Sequence, residues 1–326
     1  MALVGRRDGR NFGYGRQLSY AGPQALKDLF GGGHYGTVKA HSDRWQAFVR
    51  WCRSEDGPGF NDARQIDRRT LHDYATYLRQ QIQHDELCIA TAQNRLSSVN
   101  RTLAALRGDH DVRLASPSQA LGLRRSTERT RAPDGQDHQQ IQRVLEVLGE
   151  QLYERVAAIV LLARATGMRL REAILADLPR LQREAERFGR INIQDRTKGG
   201  RSGASAPRWV AANEQVKSAL LLAQSASPAD SHNLLARYES YATFLQQTVR
   251  FAREILHEQG LKGSHELRAA YACERYEQLT GHAAPINGGH GYRRDRDLDQ
   301  RPRQQISLEL GHHRIDVVSA YIGGRA

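Results

Sequence analysis

The chain has 326 residues, 39% of them hydrophobic, with a net charge of +12 and a pI near 9.9. That length suits two domains at about 100–200 residues each, and no apolar run approaches the ~20 residues of a membrane helix. Cys52, Cys88 and Cys273 are scattered and form no CxxC pair, which argues against a disulfide framework.

Excess positive charge favours a polyanion, and nucleic acid is the common one. Residues 1–132 hold 21 Lys+Arg against 13 Asp+Glu, and the remainder holds 27 against 23. Of the 48 basic residues only Lys27, Lys39, Lys198, Lys217 and Lys262 are lysine. A lysine in a suggestive place is therefore informative.

In chain order, residues 1–37 are rich in Gly, Arg and Tyr. They read as a basic, loosely packed arm with no apolar signal segment. A DNA-contacting arm and an inert tail fit equally. Residues 38–107 turn helical. Trp45, Phe48, Val49 and Cys52 form one stripe, Leu71, Tyr74, Leu78 and Ile82 a second, and Leu96, Val99, Leu103 and Leu106 a third. A period near 3.6 predicts amphipathic helices packed together, with Asp67 capping the middle one. Residues 108–135 are broken by Gly108, Pro117, Pro133 and Gly135 and carry Arg113, Arg124, Arg125, Arg129 and Arg131. They read as a basic linker. A second domain is expected over 136–326. It begins with helical stripes around Ile141–Leu148 and Val156–Ala165. Arg190–Ile193 alternates like a strand, with Trp209 and Val210 as its hairpin partner. Asn213 caps a further helix, and Phe244, Phe251, Ile255 and Leu256 mark another.

Five short strings in this second part carry chemistry. They are Thr-Gly-Met-Arg169-Leu-Arg-Glu172, Thr-Lys198-Gly-Gly, His265-Glu-Leu-Arg268, Leu-Gly-His312, and Tyr321. Guanidinium is permanently charged and forks onto two phosphate oxygens. Lysine releases a proton when burial and neighbouring cations tune it, which arginine does not do. His265 and Arg268 lie three apart and share one helical face. A zinc motif would need histidine at 269, where the chain has Ala269. Histidine relays protons near neutral pH. A phenol, with an ordinary pKa near ~10, becomes nucleophilic beside cations or a base.

In this order and spacing the strings resemble the signature of the tyrosine recombinases, the phage integrase family. The resemblance covers roughly residues 38–322. It implies a mainly α protein with a small β-sheet, built from an N-terminal helical core-binding domain and an α+β catalytic domain. It implies Arg169 and Arg268 as phosphate clamps and Lys198 as general acid. His265 and His312 would be proton carriers or hydrogen-bond donors, Glu172 a supporting acid, and Tyr321 the nucleophile that forms a 3′-phosphotyrosyl bond. Arg124, Arg125, Arg129, Arg131 and Arg201 are the expected DNA-backbone contacts. No metal or cofactor is implied. The expected partners are double-stranded DNA and three further copies of the chain, as a homotetramer on two DNA sites. The expected location is the cytoplasm, at the bacterial nucleoid.

The chain departs from the pattern in two places. The family's His-Thr after the second arginine is Ala269-Ala270 here, which touches the support of the clamp rather than the clamp. Forty-three residues separate Arg268 from His312, about twenty more than in compact members of the family. The excess, near Gly281–Gln305, reads as an inserted basic loop.

The expected activity is site-specific cutting and rejoining of DNA, used to integrate or excise a mobile element. Two alternatives remain. One is a type IB topoisomerase-like enzyme that nicks and reseals one duplex. The other is a DNA-binding regulator without catalysis.

Overall fold

The computed structural model describes residues 8–195, 207–289 and 296–324. The chain divides into two compact units, Met1–Ser126 and Thr127–Ala326. Among the described residues the structure is mainly helical with one two-stranded sheet. No described helix is long and apolar enough to cross a membrane.

The first unit contains α1 (Leu18–Phe30), α2 (Tyr35–Cys52), α3 (Arg68–Gln83), α4 (Ile89–Arg107) and α5 (Pro117–Leu121). The three predicted stripes face one core, where Trp45, Phe48, Trp51 and Tyr74 pack ring against ring around Leu71, Leu78, Leu96 and Leu103. Asp67 caps α3 within a reciprocal capping box with Thr70.

α1 lies inside the stretch read as an arm, and its packing corrects that reading. Leu18, Ala21, Ala25 and Leu26 are buried, and Trp45 Nε1 donates to the Leu18 carbonyl at 2.9 Å. Gly22 permits this approach, since a Cβ there would sit 2.2 Å from Trp45 Nε1. Asn11 is also buried. Its N–H donates to Asp62 at 2.9 Å, and its side-chain oxygen accepts from the Ala63 N–H at 2.7 Å. The stretch read as a linker is likewise not free chain. Leu114 and Leu121 join the first core, and Arg79 donates to the Ala120 and Leu121 carbonyls.

The second unit is organised around α7 (Glu154–Thr166), which is buried almost throughout, as its continuous apolar run predicts. It packs against α6 (His138–Glu150), α10 (Glu214–Ala226) and α13 (Ser264–Thr280). α8 (Leu170–Ile174) and α9 (Leu178–Phe188) lead into β1 (Arg190–Asn192), which pairs antiparallel with β2 (Trp209–Ala211) in the register Ile191↔Val210. Asn213 caps α10 by accepting from the Val216 N–H. α11 (Tyr241–Phe244) continues through a π turn at Leu245–Val249 into α12 (Arg250–Glu258), where Phe251 faces solvent rather than the core.

The stretch read as an inserted loop is also corrected. From Arg296 it forms α14 (Arg296–Glu309), followed by α15 (Ser319–Ile322). Asp299 and Arg303 are one helical turn apart, both buried, and paired at 2.8 Å. Tyr276 donates to Asp299, and Arg303 donates to the Gly323 carbonyl. Charges that look solvated in the sequence pair with one another inside the unit. Residues 290–295, the Gly-Tyr-Arg-rich part of the insertion, lie outside the described residues.

Candidate active site

Four elements converge on Arg268: α13, which carries it, the turn between α7 and α8, the turn after α14, and α15. Arg268 is only 1% exposed. Its Nη1 donates to the Gly167 carbonyl and its Nη2 to the Leu310 carbonyl. Gly167 has φ of +67°, and a Cβ there would meet Tyr271 Cδ1 at 2.7 Å, so only glycine brings that carbonyl to the guanidinium. Arg268 Nε donates to the Tyr321 hydroxyl at 3.3 Å, and Nη2 lies 3.2 Å from His312 Nε2.

His312 follows Gly311, whose φ of +67° turns the chain off the end of α14. Its Nε2 is 2.9 Å from the Tyr321 hydroxyl. The arginine can only donate, so Nε2 carries the lone pair and the phenol donates to it. The electrostatics agree, because burial and the charges of Arg268, Arg169 and Arg208 push the His312 pKa down to about 4. His312 is therefore neutral at pH 7 and is a proton acceptor aimed at Tyr321. The Tyr321 oxygen thus donates to a base and accepts from a fixed cation. That arrangement favours loss of the phenolic proton and supports the oxygen that remains.

His265 and His312 flank the Tyr321 ring, each with its centroid 5.5 Å away. Desolvation and the Arg268 charge lower the His265 pKa as well. Arg169 is the N-cap residue of α8, and its side chain is 28% exposed. Its Nη1 donates to Glu172 Oε1 at 2.7 Å and its backbone N–H to Oε2 at 2.8 Å. Glu172 is 2% exposed, and its pKa is lowered to about 2 because the attraction of Arg208 and Arg169 overcomes the cost of burial. Burial and the Arg208 charge pull the Arg268 pKa down to about 9, which leaves it cationic at pH 7. Among the described residues no carboxylate pairs with Arg268. Arg169 and Arg208 share the carboxylate of Glu172, and Arg268 stands beside them with only carbonyl, phenol and imidazole partners. The excess positive charge in a largely buried place is suited to a phosphate.

Residues 121–274 match the family model described as Integrase. The match covers 154 of the chain's 326 residues, most of them in the second unit, and there the chain is similar to the integrase family. The matched stretch holds Arg169, Lys198, His265 and Arg268 and ends before His312 and Tyr321. A search of the curated proteins finds no match. Among solved structures, the Tn1549 transposon integrase in complex with transposon right end DNA is similar at a TM-score of 0.56 and 12% identity, over 92% of this chain and 94% of that one. A lambda integrase dimer bound to a COC′ core site gives 0.53 and 15%, over 92% and 93%. A lambda integrase tetramer bound to a Holliday junction gives 0.51 and 14%, over 89% and 72%. At these identities the likeness is one of fold.

Of the residues singled out in the sequence, the integrase fold brings Arg169, Glu172, His265, Arg268, His312 and Tyr321 into one cluster. Lys198 and Arg201 lie between β1 and β2, outside the described residues. Arg124, Arg125 and Arg131 are exposed. Arg129 is not a free surface cation. It is ion-paired with Glu266, beside His265, and donates to the Arg131 carbonyl. His313, next to His312, is exposed and adopts a positive φ of 54°.

One residue of the cluster escaped the sequence reading. Arg208, just before β2, is 2% exposed, and its guanidinium reaches Glu172, the Gly167 carbonyl and the Glu309 carbonyl. It belongs to no motif, and its only sequence signal is an arginine at the edge of an apolar strand.

Proposed function

We propose that this chain is a site-specific DNA recombinase that cuts and rejoins strands through a 3′-phosphotyrosyl intermediate. The observation that carries the reading is the Tyr321 hydroxyl, set between the lone pair of His312 Nε2 and the Arg268 Nε–H beneath excess positive charge. Arg169 and Arg268 would hold the non-bridging oxygens of the scissile phosphate, where charge grows in the transition state. Tyr321 would attack phosphorus as its proton passes to His312. The P–O bond to the 5′ oxygen breaks, and Lys198 would supply the proton that this oxygen needs. The new ester keeps the energy of the phosphodiester, so rejoining by the reverse path needs neither nucleotide nor metal. His265 would donate to a phosphate oxygen or relay a proton.

The DNA partner and a homotetramer on two DNA sites are part of the same proposal. They are supported by the excess of basic residues and by the integrase fold, whose solved examples include a DNA-bound tetramer. Integration or excision of a mobile element is the biological use that fits, and the bacterial cytoplasm is the matching location. Exposed Arg124, Arg125 and Arg131 would contact the DNA backbone, as would Arg201, three positions after Lys198 in the sequence.

The leaving-group assignment is tested by Lys198→Ala. Cleavage of ordinary DNA should slow, and a substrate with sulfur in place of the bridging 5′ oxygen should restore it, since a thiolate leaves without a proton. Absence of rescue would show that Lys198 is not the acid. Joining of two separate DNA sites distinguishes a recombinase from a topoisomerase-like enzyme, which would only relax a single supercoiled molecule.

A further inference from the structure

The oxygens of Glu172 are divided. Oε1 accepts from Arg169 Nη1 at 2.7 Å, while Oε2 accepts from Arg208 Nη1 at 2.6 Å and from the Arg169 backbone N–H at 2.8 Å. Glu172 is buried and ionised, so it takes every donor within reach. A carboxylate facing one guanidinium closes on it as a two-bond fork. Among the described residues Arg169 spends only Nη1 of its guanidinium on Glu172, because the other oxygen is taken.

Arg208 is fixed independently of Glu172. Its Nη2 donates to the Gly167 carbonyl at 3.0 Å, its Nε to the Glu309 carbonyl, and its backbone N–H to the Asn192 side chain at 2.9 Å. It cannot turn toward a phosphate itself. It also packs under the turn that presents His312, since a Cβ on Gly311 would lie 3.1 Å from Arg208 Cδ.

We propose that Arg208 is a positioning residue that occupies one oxygen of Glu172 and thereby leaves the Arg169 guanidinium available for a phosphate. The proposal deepens the strand-cleavage reading and rests on its assignment of Arg169. Removing Arg208 frees Glu172 to close on Arg169, and the site loses a clamp although Arg169 is still present. Removing the Glu172 charge as well releases Arg169 again.

The test compares the full-length wild type, Arg208→Met, Glu172→Gln and the double variant. Binding of inorganic phosphate is measured by calorimetry, and formation of a covalent adduct with labelled suicide DNA is measured in parallel. Arg208→Met should weaken phosphate binding by about tenfold, the scale of one charge-assisted pair. Glu172→Gln placed on Arg208→Met should recover most of that loss, which a merely structural role would not produce. Should Arg208→Met not fold, Arg208→Gln carries the same test, because its shorter neutral amide brings no cation to the Glu172 oxygen. Unchanged phosphate binding in the single variant, no recovery in the double variant, or no phosphate binding by the wild type overturns the proposal. Phosphate binding requires no cleavage. A wild type that binds phosphate in this pattern without forming an adduct would sink the strand-cleavage reading and leave the role of Arg208 standing.

Discussion

At the scale of single residues the site is a charge arrangement built on fixed carbonyls. The free protein should show a His312 ring that titrates near pH 4 rather than near the ordinary 6.5, measured by NMR of labelled histidine. Inorganic phosphate should raise that midpoint, because an anion favours the imidazolium. A midpoint at or above 6.5 in the free protein would contradict the assignment of His312 as acceptor. The same lowered pKa has a sign for folding. The unfolded chain takes up this proton first, so stability is lost as pH falls from about 6.5 toward 4. Glu172 acts in the same direction at lower pH, since its contribution is present above the ordinary carboxylate range and is lost as pH falls toward about 2. Gly167→Ala should destabilise the protein by about 1–3 kcal/mol in denaturant unfolding, through the strained φ and the clash with Tyr271. A change within about 0.5 kcal/mol would mean that the turn relaxes at no cost.

At the scale of elements the first helix makes the sharpest prediction. Leu26→Ala should cost about 2–5 kcal/mol, as a fully buried leucine does, whereas in a loose arm it would cost nothing. Calorimetric unfolding of the first unit's transition measures it. The helices bearing Trp45, Leu71 and Leu96 were legible because each has one stripe of large apolar residues. α1 carries a stripe too, at Leu18, Ala21, Ala25 and Leu26, but alanine fills half of it and the surrounding Gly, Arg and Tyr read as coil. α14 was missed for a different reason. Asp299 and Arg303 lie on its buried side, and a charge that finds its partner inside the fold looks, in sequence, like a charge in water. Most of the site was legible because Arg169, His265, Arg268 and His312 each sit in a short local string. Arg208 was not, since its partners Glu172 and Glu309 are 36 and 101 positions away.

At the scale of the molecule the charge of +12 should show in DNA affinity, which ought to fall steeply with salt. Replacing Arg124, Arg125 or Arg131 by alanine should each reduce the logarithmic salt slope by about 1 if that side chain holds a phosphate. Arg129→Ala should instead lower the melting temperature, because it leaves Glu266 without its guanidinium. Equal effects of all four on the slope would show that the half-buried Arg129–Glu266 pair opens on DNA. The central claim is the covalent step. The most direct measurement is incubation of wild type and Tyr321→Phe, in EDTA, with labelled suicide DNA from the boundaries of the proposed mobile element, followed by denaturing electrophoresis. The account predicts a denaturation-resistant protein–DNA adduct with the wild type, none with Tyr321→Phe, and equal DNA binding by both. An adduct formed by Tyr321→Phe, or DNA bound by the wild type with no adduct on any boundary sequence, would contradict it.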